Sequence, residues 1–166
     1  MANVRRLWPG QAGTLYYELS HMTSIANCYT DLGRRDEALA LERSLYAKTT
    51  AAYGIEAREA LINALNLSRS LINMGRAAEA KPFLRKNITR ARRSLGDDHH
   101  VTLDLRDRYV RTLVAPLVED PGSASAAGDL REAVTILEDI EGRSRRVFGA
   151  DHPQTLGYKE SLVTAR

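Results

Sequence analysis

Apolar side chains recur along most of the chain at the spacing of amphipathic helices. In the first such segment, about 14–31, Leu15, Leu19, Met22 and Ala26 follow one another at steps of three and four residues. This spacing places them on one face of a helix. The same pattern predicts helices over about 36–54, 57–74, 77–95, 101–115 and 129–148, and a last helix from about 153. No segment alternates polar and apolar residues as a half-buried strand would, so the pattern predicts an all-α fold of seven helices.

Glycines and short motifs recur with a period of 42 residues. Gly33 and Gly75 are 42 residues apart, as are Gly54 and Gly96. The pair Glu37-Ala38 returns after 42 residues as Glu79-Ala80, and after a further 53 as Glu132-Ala133. A glycine with positive φ is a frequent end of a helix, so these glycines predict two helices in each repeat.

The period divides the chain into three repeats and a half repeat within a single domain, 1–166. The repeats cover about 13–54, 55–96 and 97–149, and the half repeat covers 150–166. The third repeat is longer by 11 residues, and prolines, glycines and serines cluster near 116–128. That composition is typical of loops, so we expect the additional residues to form a surface loop.

Residue types within each repeat match the tetratricopeptide pattern. In the second helices a small residue is followed four positions later by a large apolar one, as in Ala80 with Leu84 and Ala133 with Leu137. The first repeat departs from the pattern, because Ala38 is followed by Glu42. We expect Leu41 to fill the space there.

Two linkers and one helix motif narrow this resemblance to the repeats of kinesin light chains. The linkers 95–103 (LGDDHHVTL) and 148–156 (FGADHPQTL) resemble the Gly-x-Asp-His-Pro-x-Thr linker of that family, and Asn66-Leu67-Ser68 is similar to its Asn-Leu-Ala motif. The resemblance implies a right-handed α-solenoid of helix-turn-helix repeats, about three and one-half in number. It also implies a non-enzymatic scaffold that binds a partner peptide or protein in a concave groove lined by the first helices.

The 42-residue register assigns a set of polar side chains to that groove. Asparagine can bind the backbone of an extended peptide with both a donor and an acceptor, and arginine pairs with acidic groups, so the partner is expected to be acidic. The alternative is that these residues are solvated side chains on an idle face. The predicted groove residues are Asn27, Asn66, Arg69, Asn73, Arg108 and Arg111.

Charge and candidate reactive residues add little to this hypothesis. The net charge is +3, and the basic runs on second helices lack interleaved aromatics, so nucleic acid is not the expected partner. We interpret His99, His100 and His152 as linker and cap residues rather than metal ligands, and the single cysteine, Cys28, as a core residue. We therefore expect no enzyme, no metal and no cofactor.

The single cysteine and the absence of a long apolar stretch also bear on location. One cysteine cannot form an internal disulfide, which favours a reducing compartment. No segment approaches the roughly 20 apolar residues needed to cross a membrane. We expect a cytoplasmic protein without membrane insertion.

The last predicted helix leaves a second function open. It carries Leu156, Leu162 and Val163 with no following helix to cover them. Its polar outer face would make it a cap of the repeat array. Alternatively, this edge docks on another copy of the chain or on a large assembly. In that case the protein is a structural or accessory subunit held through its edges and convex face.

Overall fold

The computed structural model describes residues 9–119 and 126–165. These residues contain seven helices and no strand, which confirms the predicted all-α fold. The helices are α1 (Pro9–Asp31), α2 (Arg35–Tyr53), α3 (Arg58–Asn73), α4 (Ala77–Ser94), α5 (His100–Glu119), α6 (Ala126–Phe148) and α7 (Pro153–Ala165).

The first three helices form one compact unit, which ends at Met74. Helix α2 packs against both α1 and α3. Small side chains such as Ala26, Ala38 and Ala60 are buried together with Leu45 and Leu61. Because α2 contacts both of its neighbours in the sequence, α1 and α3 are held by the same helix.

The remaining four helices form a second compact unit that begins at Gly75. Helix α5 packs against α4 and α6, and α7 packs against α6. Leu103, Ile140 and Tyr158 form a buried cluster contributed by α5, α6 and α7. The boundary between the units falls within the predicted repeat 55–96, and the single domain 1–166 with its repeat boundaries stays a prediction.

Glycines with positive φ end the helices where the sequence predicts it. Gly33 and Gly75 both have φ of 72°, and each follows the first helix of its repeat. Gly54 and Gly96, which follow the second helices, have φ of 95° and 94°. A side chain with a Cβ rarely adopts this backbone region, so the turns depend on glycine.

Helix α5 is longer than the sequence pattern predicts. At the third-repeat position equivalent to Gly33 and Gly75 the chain has Leu117, and the helix continues through Pro116 to Glu119. Helix α6 then begins at Ala126. Both helices thus extend into the predicted loop near 116–128, and the residues between them, 120–125, lie outside the described part of the chain.

Glu42 occupies a buried position, and the prediction that Leu41 fills this space is wrong. The side chain of Glu42 is only 3% exposed, whereas Leu41 is half-buried. Residues four apart lie on one face of a helix. Position 42 therefore faces the core as Ala38 does, regardless of the residue type at that position. Burial raises the pKa of Glu42, and a hydrogen bond from Ser70 and the charge of Arg69 oppose that rise. Among the residues that the structure describes, none forms a hydrogen bond with its Oε2 atom.

We expect Glu42→Leu to stabilise the protein, and to do so more at pH 7.5 than at pH 4.5. The pKa of Glu42 is higher in the folded chain than in the unfolded one. Its contribution is therefore most favourable below the unfolded pKa and is lost as pH rises through the folded pKa. Removing a buried carboxylate should raise the free energy of unfolding by about 1–3 kcal/mol at pH 7.5. Urea denaturation of the full chain, followed by circular dichroism at both pH values, measures this.

Ala47→Leu is the matched control, since it adds a leucine at an exposed position of the same helix. It should change the free energy of unfolding by less than about 0.5 kcal/mol. A destabilised Glu42→Leu variant, or a gain that is equal at both pH values, would contradict the account of Glu42.

Candidate functional site

A polar stripe runs along one face of α1 in the first unit. Tyr16, Ser20, Thr23, Asn27 and Thr30 follow one another at alternating steps of four and three residues, which places them on the same side of the helix. None of the five is fully buried. This face of α1 is therefore available to a ligand along about four helical turns.

A matching stripe runs along α3. Glu59, Asn63, Asn66, Ser70 and Asn73 have the same alternating spacing, each 43 residues after its counterpart on α1. Ser70 is buried, Asn63 and Asn66 are half-buried, and Glu59 and Asn73 are exposed. The stripe combines three amides with one carboxylate and one hydroxyl, so it is rich in hydrogen-bonding groups.

The two stripes meet at depressions in the surface of the first unit. One depression has a volume of about 290 Å³ and is lined by Tyr16 and Thr23 of α1 and by Glu59 and Asn63 of α3. A cavity of about 30 Å³ lies at the other end, between Thr30 of α1 and α3 residues that include Asn73. We call the surface formed by both stripes the α1–α3 face.

Three of the four predicted groove residues of the first unit lie on this face, and the fourth, Arg69, lies beside it. Asn27 is exposed on α1 between the two depressions, and Asn66 is half-buried on α3 between them. Asn73 lines the small cavity. Arg69 is half-buried beside the stripe, and its charge acts on Glu42 of α2. All four residues lie on the first helices of their repeats, and their role in a groove stays a prediction.

The predicted groove residues of the second unit, Arg108 and Arg111, lie on α5. Arg108 is half-buried, and Arg111 is exposed with its Nε donating to Asp107 Oδ2 over 3.1 Å. Between them Tyr109 is buried; its hydroxyl donates to Glu132 (3.0 Å) and accepts from Arg85 Nε (2.8 Å). Burial raises the pKa of Tyr109. This network ties α5 to α4 and α6.

Sequence reasoning did not find the large depression, and none of the ten described residues that line it was among the predicted groove residues. The side chains that were missed include Tyr16, Tyr53 and Glu59. Glu59 could have been predicted from helical spacing, because it lies four residues before Asn63 and seven before Asn66, on the same side of α3. Tyr53 ends α2 and could not be placed without knowing how α2 packs.

The histidines of the linkers have the predicted capping role. His99 Nδ1 accepts a hydrogen bond from the backbone N–H of Val101 at the start of α5, and His152 Nδ1 accepts one from Gln154 at the start of α7, each over 3.2 Å. The ring of His99 stacks on that of His100, with centroids 4.4 Å apart. Within residues 9–119 and 126–165, no group of three or more His, Cys, Asp or Glu side chains is arranged to hold a metal ion.

Cys28 is exposed, so the prediction that it is a core residue is wrong. Ala26 faces α2 and is buried. A residue two positions later lies roughly 200° around the helix, on the side away from Ala26. Ile25 is likewise 46% exposed, because α1 packs mainly against α2.

Several arginines of the basic runs are engaged within the second unit. Arg92 Nε donates to Asp97 over 2.7 Å, and Arg143 bonds both Asp98 and Asp139. Burial acts to raise the pKa of Asp139, but hydrogen bonds from Arg106 and Arg143 lower it overall. These arginines hold the linker after α4 against α6.

The last helix is anchored through one half of its surface. Tyr158 and Leu162 are buried, and the Tyr158 hydroxyl donates to Asp104 Oδ1 of α5 over 2.7 Å. Burial and the Asp104 carboxylate raise the pKa of Tyr158. Leu156 and Val163 are 48% and 69% exposed. Of the three apolar residues assigned to the open edge, Leu162 therefore belongs to the core and the other two face outward.

None of the helices in the described ranges is both long enough and apolar enough to cross a bilayer.

Sequence comparison finds one family in this chain. Residues 19–59, 64–100 and 123–154 match the tetratricopeptide repeat, and together these segments make up more than half of the chain. No curated protein sequence matches it significantly.

Two crystal structures are similar to the chain over most of its length. Both are of a protein from Podosopora anserina that is described as a kinesin light chain with nearly identical TPR-like repeats. Each has 19% sequence identity and a TM-score of 0.52. The alignments cover 89% of this chain and 84% and 85% of those chains. At this identity the likeness shows the fold alone, and it agrees with the resemblance drawn from the linkers.

Proposed function

Because the chain belongs to the tetratricopeptide repeat family, whose repeats serve as protein–protein interaction scaffolds, we propose that it binds a partner peptide on the α1–α3 face. One observation carries the proposal. The first helices of two successive repeats share two depressions, and helical spacing places Asn27 and Asn66 between them. A peptide lying along this face would meet amide groups from both helices.

The asparagines suit an extended peptide because each amide carries a donor and an acceptor. Asn66 is half-buried, so part of its rotamer freedom is already lost, and less entropy remains to be lost on binding. Asn73 lies further along the same face at the small cavity. The groove residues of the first unit are therefore Asn27, Asn66, Arg69 and Asn73.

An acidic character of the partner remains part of the proposal. Arg69 would supply the charge on α3, and Arg108 and Arg111 would supply it on α5. Two of these arginines act on carboxylates of the chain itself, Arg69 on Glu42 and Arg111 on Asp107. An acidic group of the partner would have to compete with these carboxylates, which reduces the net gain.

We further propose that the protein has no catalytic activity of its own, needs no cofactor and acts in the cytoplasm. The three buried groups whose pKa is raised support the first point. Glu42, Tyr109 and Tyr158 are buried in helix contacts, and none of the three lines the α1–α3 depressions.

Substitution of Asn66 and Arg69 tests the binding face. Peptides that bind the full chain would first be selected from a random-peptide display library. The double variant Asn66→Ala with Arg69→Ala should weaken their binding by about tenfold or more, because it removes an amide clamp and a charged donor. Fluorescence anisotropy with labelled peptides measures the change in Kd.

The control variant is Lys86→Ala with Arg145→Ala, two exposed basic positions on α4 and α6. It should leave Kd within about twofold of the unsubstituted chain. If the double variant on α3 binds the selected peptides as tightly as the unsubstituted protein does, while circular dichroism shows it folded, the groove hypothesis fails.

A structural or accessory subunit is the second candidate function. It is favoured by large apolar side chains that are exposed in the described part of the chain, namely Ile25 on α1, Leu32 in the turn after α1, and Leu156 and Val163 on α7. Exposed apolar residues of this kind are typical of surfaces on which further protein packs.

The molecular mass of the protein in dilute solution tests whether the exposed edges bind a second copy of the chain. Sedimentation equilibrium of the full chain at micromolar concentration should give a helical monomer if the exposed edges are not self-docking surfaces. A dimer that dissociates in the Leu156→Glu, Val163→Glu variant, but not in an Ile25→Glu variant, would instead assign self-association to the α7 edge.

A further inference from the structure

The large depression of the α1–α3 face has an aromatic wall. Tyr16 of α1 and Tyr53 at the end of α2 both line it and are exposed to solvent. The ring of Tyr16 is supported edge-on by that of Tyr17, with centroids 5.8 Å apart. A volume of about 290 Å³ lies at the lower end of ligand pockets, so the depression has room for one long side chain rather than for a cofactor.

One carboxylate supplies the charge of this depression. Glu59 is the single charged residue among the described residues that line it. It stands in the first turn of α3, where a negative side chain is favourable, and no described residue forms an ion pair with it. Lys48, which adjoins the lining residue Thr49, is already paired with Glu18.

Two hydroxyl groups on the α1 wall, those of Thr23 and Ser24, donate their protons to the backbone of α1 itself. Thr23 donates to the backbone oxygen of Leu19 over 2.9 Å, and Ser24 donates to that of Ser20 over 3.2 Å. Each hydroxyl oxygen can therefore only accept a further hydrogen bond. On the α3 wall Asn63 donates one Nδ2 proton to Thr49 Oγ1 over 2.9 Å. Its Oδ1 atom remains an acceptor.

We propose that this depression is a subsite for the basic side chain of a partner peptide, held between Tyr16 and Tyr53 with its charge on Glu59. A partner side chain that brings donors and a positive charge suits this lining, because Thr23, Ser24 and Asn63 offer acceptors, the two tyrosines offer aromatic faces and Glu59 offers a carboxylate. Arginine fits each of these features, since its guanidinium is positively charged, carries five donors and stacks on aromatic rings.

The subsite deepens the proposed function, because it rests on a partner chain lying along the α1–α3 face. It also sets the orientation of the bound peptide along the face. The end of the face near Glu59 is acidic, whereas Arg35 lines the small cavity at the opposite end. A bound peptide would place its basic residue towards the start of α3 and any acidic residue towards the end of α3.

Two small probes that differ in charge test the subsite on the full chain. N-acetyl-arginine methylamide carries the guanidinium, and N-acetyl-citrulline methylamide replaces it with a neutral urea of the same shape. Each would be titrated into 15N-labelled protein and followed by the amide signals of residues 20–24 and 59–63. The arginine probe should shift these signals saturably and bind at least about threefold more tightly than the citrulline probe.

Glu59→Gln should remove that difference between the probes, because it keeps the shape of the side chain and deletes the charge. Asp36→Asn is the matched control: Asp36 is also an acid in the first turn of a helix of the same unit, and it does not line the depression. The inference is overturned if both probes bind alike, if neither shifts these signals, or if Glu59→Gln leaves the preference for arginine intact.

The outcomes also separate this inference from the proposed function. Suppose that library peptides bind less tightly to the Asn66→Ala, Arg69→Ala variant, while the arginine and citrulline probes bind with equal affinity. That combination would overturn the subsite and still support the proposed binding face. Suppose instead that the arginine probe binds more tightly only when Glu59 is present, while library peptides bind the Asn66→Ala, Arg69→Ala variant as well as the unsubstituted chain. That combination would support the subsite and overturn the groove assigned to Asn66 and Arg69.

Discussion

Close packing of consecutive helices through alanine is the constraint on which the rest of the structure depends. Ala38, Ala60, Ala80 and Ala133 are buried at helix contacts and leave almost no surface to solvent. A side chain this small lets helix backbones approach closely, while the leucines between the alanines fill the remaining space. In the first unit this packing holds α1 and α3 on the same α2, so their remaining faces form one surface. The proposed binding face is thus a consequence of how the core is packed.

The periodic features of the chain could be predicted from the sequence because each has a local physical cause. Positive φ at Gly33 and Gly96 follows from the residue type. The capping bonds of His99 and His152 involve residues only two positions away. These features need no knowledge of tertiary contacts, and the helix pattern between them is strong enough to fix the number of helices.

The failures of sequence reasoning concern residues whose burial depends on the neighbouring helix. Cys28 resembles a core residue by type, but the side of α1 on which it lies is exposed. Glu42 resembles a surface residue by type, but its register turns it towards Ser70. The acceptor-rich depression was not predictable for the same reason, since Tyr53 and Glu59 meet there only through the packing of α2 on α3. At these sites the residue type and the helical position predict different burial, and the observed burial follows the helical position.

A crystal structure of the full chain with a bound library-selected peptide would show directly where the peptide lies. We expect it along α1 and α3, with its backbone at Asn27 and Asn66 and a basic side chain in the depression beside Glu59. A peptide bound instead on the exposed faces of α2, α4 or α6, or at the edge formed by α7, would overturn the proposed binding face.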